Sequence, residues 1–515
     1  MKATACGVHE FLAELRRRNV ALSVKDGHIH CRAPQGILTA DQLATLRQLK
    51  PEIMSALSAH SVESPAVGEP SNRTICEQAP LSFQQQWLWD RMRAAPSINA
   101  VVISSSRLRG PLSIGVLSTS LEAVINRHGA LRTRFFEKQG IAVQYVYGAI
   151  TGYELQIVDC DGSDSEEIAQ CRMRELFSQQ LDGENRSPVE VRLLRLSEND
   201  HVLALAAGHL VADHVSFIIL YRELWYLYRE GILGRQAQLP PASAPYTQYA
   251  KWQRDTHAGW LTEHGTYWKS RLAKAERVRW PADTGLGSMP ALVSSGLQIP
   301  FGQRVSHAIR SLAEREHTTP AITTLALYAT FIRCWCEQSD FVIAFSVTGR
   351  QSSEYVDTIG YFSHQMPLRI QLAGNESFRE ALQVVGHTFL AGYSHLECWR
   401  AYDMAPELYT GAFFQWLPWP SSEAVGVPVP SEWEGPEYCP VVEPFPVQWP
   451  PQENRTGLGV ALQFRETPTG ISAYGAYCFA PTTMQRFSAA LRLLFDHFAH
   501  NPDTHIDCLS QLRPR

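Results

Sequence analysis

Residues 203–216 read Leu-Ala-Leu-Ala-Ala-Gly-His-Leu-Val-Ala-Asp-His-Val-Ser, and no other stretch of the chain indicates the fold as strongly. Its uncharged, mostly apolar run predicts a buried strand that ends at His209. Ser216 then begins a predicted helix that ends at Gly231. The apolar residues of that helix fall on one face: Phe217, Leu220, Leu224 and Leu227. A strand, a short loop and a helix in this order place an imidazole at the edge of a sheet, where it can accept a proton near neutral pH.

The spacing of His209 and Asp213 by itself leaves two interpretations open. In one, the histidine transfers a proton and the aspartate bonds the loop or an arginine. In the other, the histidine is a structural side chain with a satisfied hydrogen bond, because short motifs match by chance in long chains. The segments on either side are needed to choose between the two.

Four further segments favour the functional interpretation. They are residues 80–89 with Gln85 and Trp89, residues 127–135, residues 246–253 with Tyr267 and Trp268, and residues 349–350 followed by 359–369. Together with residues 203–216, and in the same order, they resemble the motifs of condensation domains from non-ribosomal peptide synthetases. Residues 203–216 resemble the core motif of that family, His-His-x-x-x-Asp-Gly, and residues 80–89 resemble its opening motif.

The resemblance implies an α/β (α+β) fold of two chloramphenicol-acetyltransferase-like lobes, arranged as a V-shaped pseudo-dimer with a central tunnel. The alternation of β-rich and helical segments agrees with a mixed sheet covered by helices in each lobe. A chain of 515 residues exceeds the size of one hydrophobic core. We therefore predict a small αββαα docking domain over 1–60, a flexible linker over 61–79, an N-lobe over 80–262 and a C-lobe over 263–515.

The resemblance also implies roles for individual residues. His209 corresponds to the catalytic histidine of the family. Asp213 corresponds to an aspartate that forms a structural ion pair, for which Arg350 is the candidate partner unless it is a solvated surface residue. The candidate residues that line the cavity are His214, Ser216 and His364. The sequence contains no Gly-x-Ser-x-Gly elbow, so direct transfer between two bound substrates is the simpler mechanism.

Two residues depart from the core motif of the family, and several roles stay open. Gly208 stands where the family has its first histidine, and His214 stands where it has glycine. His214 either fills the cavity or supplies a second proton carrier. Ser216 either donates a hydrogen bond in the cavity or caps the helix. His209 either acts as a base or positions the acceptor and stabilises charge in the tetrahedral intermediate.

Residues 1–60 form a separate predicted unit. Apolar spacing predicts a helix over 8–19, Asp26-Gly27 predicts the tight turn of a hairpin, and a capping-box pattern at 39–42 begins two further helices up to Leu57. This order resembles the β-hairpin docking domains of assembly-line subunits. The unit carries eight Lys or Arg against five acids, a net charge of +3. It suits capture of the acidic C-terminal tail of an upstream subunit by strand addition, although a structural cap on the main body fits the same pattern.

Composition indicates an ordinary soluble globular protein and argues against several functions. Hydrophobic residues make up 45% of the chain and charged residues 19%. A net charge of −5 argues against nucleic acid as a partner. Cys334 and Cys336 are the only close cysteine pair, so we expect reduced thiols and no metal site. The N-terminus lacks a signal-peptide core, and the uncharged run 318–332 predicts a core helix too short for a membrane, so we expect a cytoplasmic protein.

Together these features predict an acyltransferase. It would move an acyl chain from the phosphopantetheine thioester of an acyl or peptidyl carrier protein to an amine or hydroxyl acceptor, which is a small molecule or is itself carrier-bound. We expect a monomer with no bound cofactor. Because no adenylation, carrier or thioesterase sequence follows, we expect the donor in trans, as in condensation enzymes that release a polyketide or peptide as an amide or ester in antibiotic biosynthesis. The alternative is a catalytically inactive platform that docks carrier proteins.

Residues 401–454 are rich in proline and tryptophan and contain no Lys or Arg. The tryptophans of this segment are Trp416, Trp419, Trp433 and Trp449. Their combination with prolines and acids predicts an extended ordered loop. The loop either lines the acceptor side of the tunnel or covers the core.

Overall fold

The structure is a computed structural model of the chain. It describes residues 21–25, 28–32, 45–46, 49–50, 53, 74–94, 100–160, 162, 164–179, 181, 187–281, 293–396, 408, 411–417, 440–444, 459–467, 470–477 and 479–508. The chain divides into two compact units. Unit 1 contains residues 1–251, 352–361 and 425–447, and unit 2 contains residues 252–351, 362–424 and 448–515.

Strands and helices alternate along both units. The strands are β1 (Ala21–Lys25), β2 (His28–Arg32), β3 (Ile75–Pro80), β4 (Val101–Arg109), β5 (Thr133–Lys138), β6 (Ile141–Tyr147), β7 (Gln156–Asp159), β8 (Val189–Ser197), β9 (Asp200–Gly208), β10 (Val293–Pro300), β11 (Asp340–Val347), β12 (His364–Gln371), β13 (Ala412–Leu417), β14 (Val441–Pro444), β15 (Val460–Thr467) and β16 (Gly470–Tyr477). The helices are α1 (Phe83–Ala94), α2 (Ile114–Arg127), α3 (Ser165–Phe177), α4 (His214–Ile232), α5 (Tyr246–Leu272), α6 (Gly302–Arg315), α7 (Pro320–Cys336), α8 (Phe378–Tyr393) and α9 (Pro481–His500).

Two sheets form the framework of unit 1. The five-stranded sheet has the order β14-β4-β9-β8-β7, in which β7 and β8 are parallel and the other neighbours are antiparallel. The three-stranded antiparallel sheet has the order β3-β6-β5. β9 is the central strand of the larger sheet, and all its residues from His201 to Gly208 are buried. Burial on both faces explains the unbroken apolar run, so the predicted strand before His209 is confirmed.

One six-stranded mixed sheet forms the framework of unit 2. Its order is β10-β16-β15-β13-β11-β12, in which β11, β13 and β15 run parallel to one another. Phe345, Phe414 and Phe464 stack across these three strands in the core of the unit. Residues 320–332 of the uncharged run 318–332 lie in the buried helix α7, which Pro320 begins after the cap at Thr319. The predicted core helix is therefore confirmed.

The hairpin near the N-terminus is also confirmed. β1 and β2 pair antiparallel with Lys25 opposite His28, and the predicted turn residues 26–27 lie outside the described residues. The predicted helix over 8–19 lies outside them as well. Residues 45–46, 50 and 53 are helical, within the segment predicted to form the later helices.

The predicted linker over 61–79 is wrong at its C-terminal end. Residues 75–80 form strand β3, which pairs with β6 of unit 1. The polar composition of the segment suited a linker, but pairing with a neighbouring strand overrides such local preferences. Residues 61–73 lie outside the described residues. The lobe boundary predicted at 262/263 falls inside α5, as does the division between the units after Lys251, and the domain boundaries stay predictions.

The extended loop predicted over 401–454 is wrong where strands form. β13 is inserted between β11 and β15 of unit 2, and β14 lies at the edge of the five-stranded sheet of unit 1. Trp416 is part of β13, whereas the other three tryptophans lie outside the described residues. Backbone pairing with strands far away in sequence, which composition does not report, explains the difference.

Candidate active site

Strand β9 ends at Gly208, where the backbone of another segment comes very close. A Cβ atom at this position would lie 2.1 Å from the carbonyl oxygen of Leu181. The Gly208 N–H donates to the carbonyl of Pro188 at 2.8 Å, which fixes the end of the strand. Packing therefore requires glycine here, and this geometry has no room for the first histidine of the family motif.

His209 is the candidate catalytic residue, and its own loop holds its ring. Nδ1 lies 2.8 Å from the carbonyl oxygen of Ala212. Because a carbonyl oxygen only accepts, Nδ1 carries the proton and Nε2 carries the lone pair of the neutral ring. Burial lowers the pKa of His209, and this effect outweighs the Ala212 carbonyl and the charge of Asp213, which raise it. The imidazole is therefore neutral at pH 7.

Asp213 caps helix α4, which begins at His214 and not at Ser216 as predicted. Its Oδ1 accepts a hydrogen bond from the Ser216 N–H at 2.9 Å, and the Ser216 Oγ accepts one from the Asp213 N–H at 3.2 Å. This is a capping box, in which Ser216 is the third residue of the helix. Of the two alternatives for Ser216, the helix cap is wrong, because Asp213 caps α4. Asp and Ser cap about equally well, so only the geometry separates them.

His214 is the first residue of α4 and is half-buried. Its backbone is helical, and it is not among the described residues with positive φ. The glycine that the family has here is therefore not required by the backbone conformation of this chain. The choice between a filling role and a second proton carrier stays a prediction.

Gln85 of α1 stabilises the loop that follows β9 and contains His209, a role that the sequence did not predict. Its Nε2 donates to the carbonyl of Leu210 at 2.7 Å, and its Oε1 accepts from the Ser82 N–H at 2.9 Å. The side chain is buried. The only signal in the sequence was the match of Gln85 to the opening motif.

An ion pair at the buried carboxylate of Glu223 connects α4 to the C-terminal end of α2. The Glu223 carboxylate lies 2.7 Å from His128 Nε2 and 3.1 Å from Arg127 Nε. Burial alone would raise the pKa of Glu223, but the two basic side chains hold it below its ordinary value. Arg127 and His128 begin the second motif segment. The sequence analysis did not predict a role for Glu223. Its signal in the sequence is a charged residue next to the apolar face of the predicted helix.

In unit 2, Arg350 and His364 both contact Phe362. The Arg350 guanidinium lies over the Phe362 ring, 4.4 Å from its centroid, and Arg350 is half-buried. His364 Nδ1 donates to the Phe362 carbonyl at 3.2 Å, and burial lowers the pKa of His364. Gly349 has a φ of +67°, and a Cβ atom there would lie 2.1 Å from the Phe362 carbonyl, so this turn requires glycine.

The predicted site residues divide between the two units. The loop and first helical turn of unit 1 bring together the four predicted residues in 209–216. Arg350 and His364 belong to unit 2. The ion pair of Asp213 with Arg350 therefore stays a prediction, as do the catalytic role of His209 and the cavity-lining roles.

The described residues offer no obvious site for a metal ion. No three His, Cys, Asp or Glu side chains among them come close enough together to hold one. Cys334 is a buried thiol, and burial raises the pKa of the Cys336 thiol, which disfavours the thiolate that binds metals. Among all the residues that the structure describes, no helix is long and apolar enough to cross a membrane.

Two family models match the sequence one after the other. The Condensation domain model matches residues 75–398, more than half of the chain, and the TubC N-terminal docking domain model matches residues 8–58. A curated relative belongs to the linear gramicidin synthase of Brevibacillus parabrevis; it is 27% identical over 454 residues, covering 84% of this chain and 8% of the relative. The chain thus spans less than a tenth of the length of this relative.

Solved structures agree with the family models. The first condensation domain of the calcium-dependent antibiotic synthetase has a TM-score of 0.69 at 19% identity, over 84% of this chain and 99% of that one. The condensation domain that mediates chain release from the enacyloxin polyketide synthase has a TM-score of 0.59 at 18% identity, over 98% of both chains. At these identities the likeness shows the fold alone, and it confirms the predicted mixed α/β class. The chain belongs to the condensation-domain family and carries an N-terminal docking domain of the TubC type.

Proposed function

We propose that this chain is an acyltransferase that moves an acyl chain from the phosphopantetheine thioester of a carrier protein to an amine or hydroxyl acceptor. Membership of the condensation-domain family supports amide or ester formation as the class of reaction. The observation that carries the proposal is the state of His209. Its Nδ1–H is bonded to the Ala212 carbonyl and its pKa is lowered, so Nε2 is the atom that can accept a proton.

The reaction then follows from the lone pair on Nε2 of His209. The acceptor N–H or O–H gives its proton to Nε2 while its nitrogen or oxygen attacks the thioester carbonyl, which forms a tetrahedral intermediate. The C–S bond breaks as this intermediate collapses, and the leaving thiolate of the pantetheine takes the proton from Nε2, which restores the neutral imidazole. Acyl transfer between two bound substrates needs no bound cofactor and no covalent enzyme intermediate.

Intact-mass measurement tests this reaction directly. A carrier protein loaded with an acyl-pantetheine is mixed with the enzyme and with a panel of amine and hydroxyl acceptors, and loss of the acyl mass from the carrier reports transfer. We expect His209→Ala to abolish transfer, because the variant lacks the lone pair that accepts the proton. The matched control is His307→Ala, which removes an exposed histidine of α6 and should leave the rate unchanged. Transfer at the normal rate by His209→Ala contradicts the proposal.

We also propose that the donor arrives in trans, as part of the release or passing on of a polyketide or peptide chain. The docking-domain match over 8–58 supports a partner protein. The likeness to a chain-releasing condensation domain over 98% of both chains favours this arrangement. In the proposed complex, an acidic C-terminal tail of the upstream protein adds a strand to the hairpin β1–β2, and tethering raises the concentration of its carrier protein near His209.

Removal of residues 1–60 tests this delivery. The shortened protein should lose transfer from dilute cognate carrier protein, by a factor on the order of 10² if tethering acts with its usual strength. It should keep the slow turnover of a small thioester mimic, because that donor does not use the docking domain. In the full-length protein, an excess of free tail peptide should produce the same loss, and added salt should weaken carrier preference. Equal use of dilute carrier with and without residues 1–60 contradicts the docking role.

The alternative function is an inactive platform that docks carrier proteins. Its support is the loss of the first motif histidine, whose place the Leu181 carbonyl takes against Gly208. A platform would bind a loaded carrier protein with the same affinity before and after His209→Ala, and it would transfer the acyl group to no acceptor in the panel. Measurable transfer by the wild-type protein that depends on His209 excludes this alternative.

A further inference from the structure

A short segment of unit 1 reaches His209 from far along the chain. We call residues 352–361 the strap. The strap belongs to unit 1, although the residues before and after it belong to unit 2. The strap begins with a 3-10 turn over Ser353–Tyr355 and ends at Tyr361. It overlaps the last motif segment of the sequence, to which no role inside unit 1 was given.

Several hydrogen bonds fasten the strap to α4 and to the segment before α5. The Gly360 N–H donates to the Ser216 Oγ at 3.1 Å, and the Thr358 hydroxyl donates to the carbonyl of Ala244 at 2.7 Å. Arg222 of α4 pairs with Asp357 at 2.8 Å. The strap is therefore held at several points, and its last residue has a defined position.

The last residue of the strap packs on the candidate catalytic ring. The ring centroids of Tyr361 and His209 are 4.4 Å apart with the planes tilted by 44°. Tyr361 is buried, so its ring is confined by its neighbours. His209 is thus held at its Nδ1 edge by the Ala212 carbonyl and against its face by Tyr361. These two contacts limit rotation of the imidazole and fix the direction of Nε2.

One hydroxyl group fixes the backbone of Tyr361. The Tyr246 OH, at the start of α5, donates to the Tyr361 carbonyl at 2.6 Å, and it therefore accepts the hydrogen bond from the Ser82 hydroxyl at 2.7 Å. The Tyr246 ring lies directly on Gly360, where a Cβ atom would be 2.0 Å from the ring. Tyr246 is buried, and burial raises its pKa well above the ordinary value, so the hydroxyl keeps its proton as a donor.

We propose that Tyr246 is a positioning residue for the reaction: its hydroxyl holds the Tyr361 carbonyl, and through Tyr361 it holds the His209 ring in the orientation that transfers the proton. This inference rests on the proposed catalytic role of His209. Tyr246 acts through the strap, because its hydroxyl is committed to the Tyr361 carbonyl and its ring to Gly360. Its effect is on geometry, since small displacements of a catalytic group reduce the rate strongly.

The test is Tyr246→Phe, which removes the hydroxyl and keeps the ring on Gly360. We expect kcat to fall by a factor on the order of 10 to 10², as for a slightly misplaced catalytic group, with little change in KM. The matched control is Tyr249→Phe, which removes the hydroxyl of a neighbouring buried tyrosine; that hydroxyl accepts a hydrogen bond from Gln84 at 3.2 Å. This control keeps the hydrogen bond to the Tyr361 carbonyl and should keep the wild-type kcat.

Two further measurements separate positioning from a general structural defect. Removing the restraint lets water reach the imidazole, so its pKa should rise and the acid limb of the kcat profile should move to higher pH in Tyr246→Phe. Asp213, whose charge acts on His209, and Tyr361, which packs on it, are unchanged in this variant. Tyr246→Phe should also add little to Tyr361→Ala, because both act through one contact.

A wild-type kcat in Tyr246→Phe overturns the positioning role. So does a reduced kcat with an unmoved acid limb and full additivity with Tyr361→Ala, because a structural defect gives that result. The proposed function is judged separately by His209→Ala. Inactive His209→Ala together with fully active Tyr246→Phe removes only the positioning role, whereas active His209→Ala removes the proposed function itself.

Discussion

Two loops of this chain, one in each unit, share a glycine that packs closely against a backbone carbonyl, but the side chain after the glycine differs. Gly208 is the last residue of β9 in unit 1, and Gly349 follows β11 in unit 2. At both positions a Cβ atom would lie 2.1 Å from a carbonyl oxygen, that of Leu181 and that of Phe362 respectively. The residue after Gly208 is a histidine whose ring is held by its own loop. The residue after Gly349 is an arginine that lies over an aromatic ring.

The loops differ in what stabilises them after the glycine. In unit 1 the loop runs into α4, whose capping box fixes Asp213 and therefore the backbone on the far side of His209. In unit 2 the turn has a positive φ at Gly349 and no helix begins after it among the described residues up to the 3-10 turn at Ser353. The unit 1 loop thus holds the neutral His209 ring in a fixed position, whereas the unit 2 loop carries the Arg350 cation, which packs on the Phe362 ring.

The largest effect that tests this comparison concerns the predicted pair of Asp213 with Arg350. Asp213 is completely buried, and a buried carboxylate needs a compensating cation. Asp213→Asn keeps the cap, because Asn caps as well as Asp. If the pair forms, this change should lower the free energy of unfolding by about 3 kcal/mol or more, as for a broken buried pair, and should lower activity as well. Urea unfolding measures the effect.

The controls separate the pair from the cap. Arg350→Met should cost a similar amount, and the double variant should be far less destabilised than the sum, because both changes remove one interaction. Asp213→Ala should lose about a further 1 kcal/mol through the missing cap. Wild-type stability in Asp213→Asn with a loss only in Asp213→Ala would leave Asp213 as a cap and remove the pair.

The two glycines give the next largest effects. Gly208→Ala forces a methyl group against the Leu181 carbonyl and should cost about 1–3 kcal/mol, as overpacking does. Gly349→Ala has the same contact and adds about 1–2 kcal/mol for the left-handed conformation. Although Gly349→Ala should be the less stable variant, Gly208→Ala should lose more activity, because His209 is the next residue. Urea unfolding and kcat measured well below the unfolding transition compare them.

Gly140→Ala is the matched control for the conformational cost alone. Gly140 has a φ of +78°, and a Cβ atom there would meet nothing within 4 Å. The difference between Gly349→Ala and Gly140→Ala therefore isolates the contact with the Phe362 carbonyl. If Gly208→Ala were as stable as the wild-type protein, the segment around Leu181 would move aside at little energetic cost. Close packing at Gly208 would then not explain why the first histidine of the family motif is absent.

The sequence predicted the unit 1 loop well because its signals are local. The buried strand before His209, the helix after it and the core helix α7 follow from apolar patterning, and their predicted boundaries differ from the observed ones by one to four residues. The sequence does not separate Asp213 from Ser216 as the helix cap, because both residue types cap well and they stand three positions apart. Geometry decides where the helix starts. The family resemblance, not patterning, supplied the choice of His209.

The sequence could not predict contacts between segments far apart in the chain. Strand β3 was assigned to a linker because its pairing with β6 involves residues about seventy positions away. Tyr246 lies 115 positions from Tyr361, and the Leu181 carbonyl that fills the place beside Gly208 comes from a segment with no motif. Such contacts depend on topology, which neither periodicity nor composition reports.

The pH dependence of stability gives the third test, with one histidine from each loop region. Burial lowers the pKa of both His209 and His364 in the folded chain. Below the ordinary histidine value near 6.5, the unfolded chain then binds more protons than the folded chain, so the free energy of unfolding falls as the pH is lowered. His364→Asn should make this fall less steep than in the wild-type protein. Urea unfolding at several pH values measures the slope, and an unaltered slope in His364→Asn contradicts a buried neutral ring.

The smallest expected effect concerns the contact between Arg350 and Phe362 in the unit 2 loop. The guanidinium lies 4.4 Å from the centroid of the Phe362 ring, a geometry that contributes about 0.5–2 kcal/mol depending on solvent exposure. A double-mutant cycle of Arg350→Met and Phe362→Leu isolates this contribution. The cost of replacing the buried Phe362 ring by the smaller leucine cancels, because it is measured both with and without the Arg350 guanidinium. The cycle is measured in the Asp213→Asn background, so that the predicted ion pair does not contribute. A coupling energy of zero would mean that the Phe362 ring does not orient Arg350, and that Phe362 shapes this loop through its carbonyl contact with Gly349 instead.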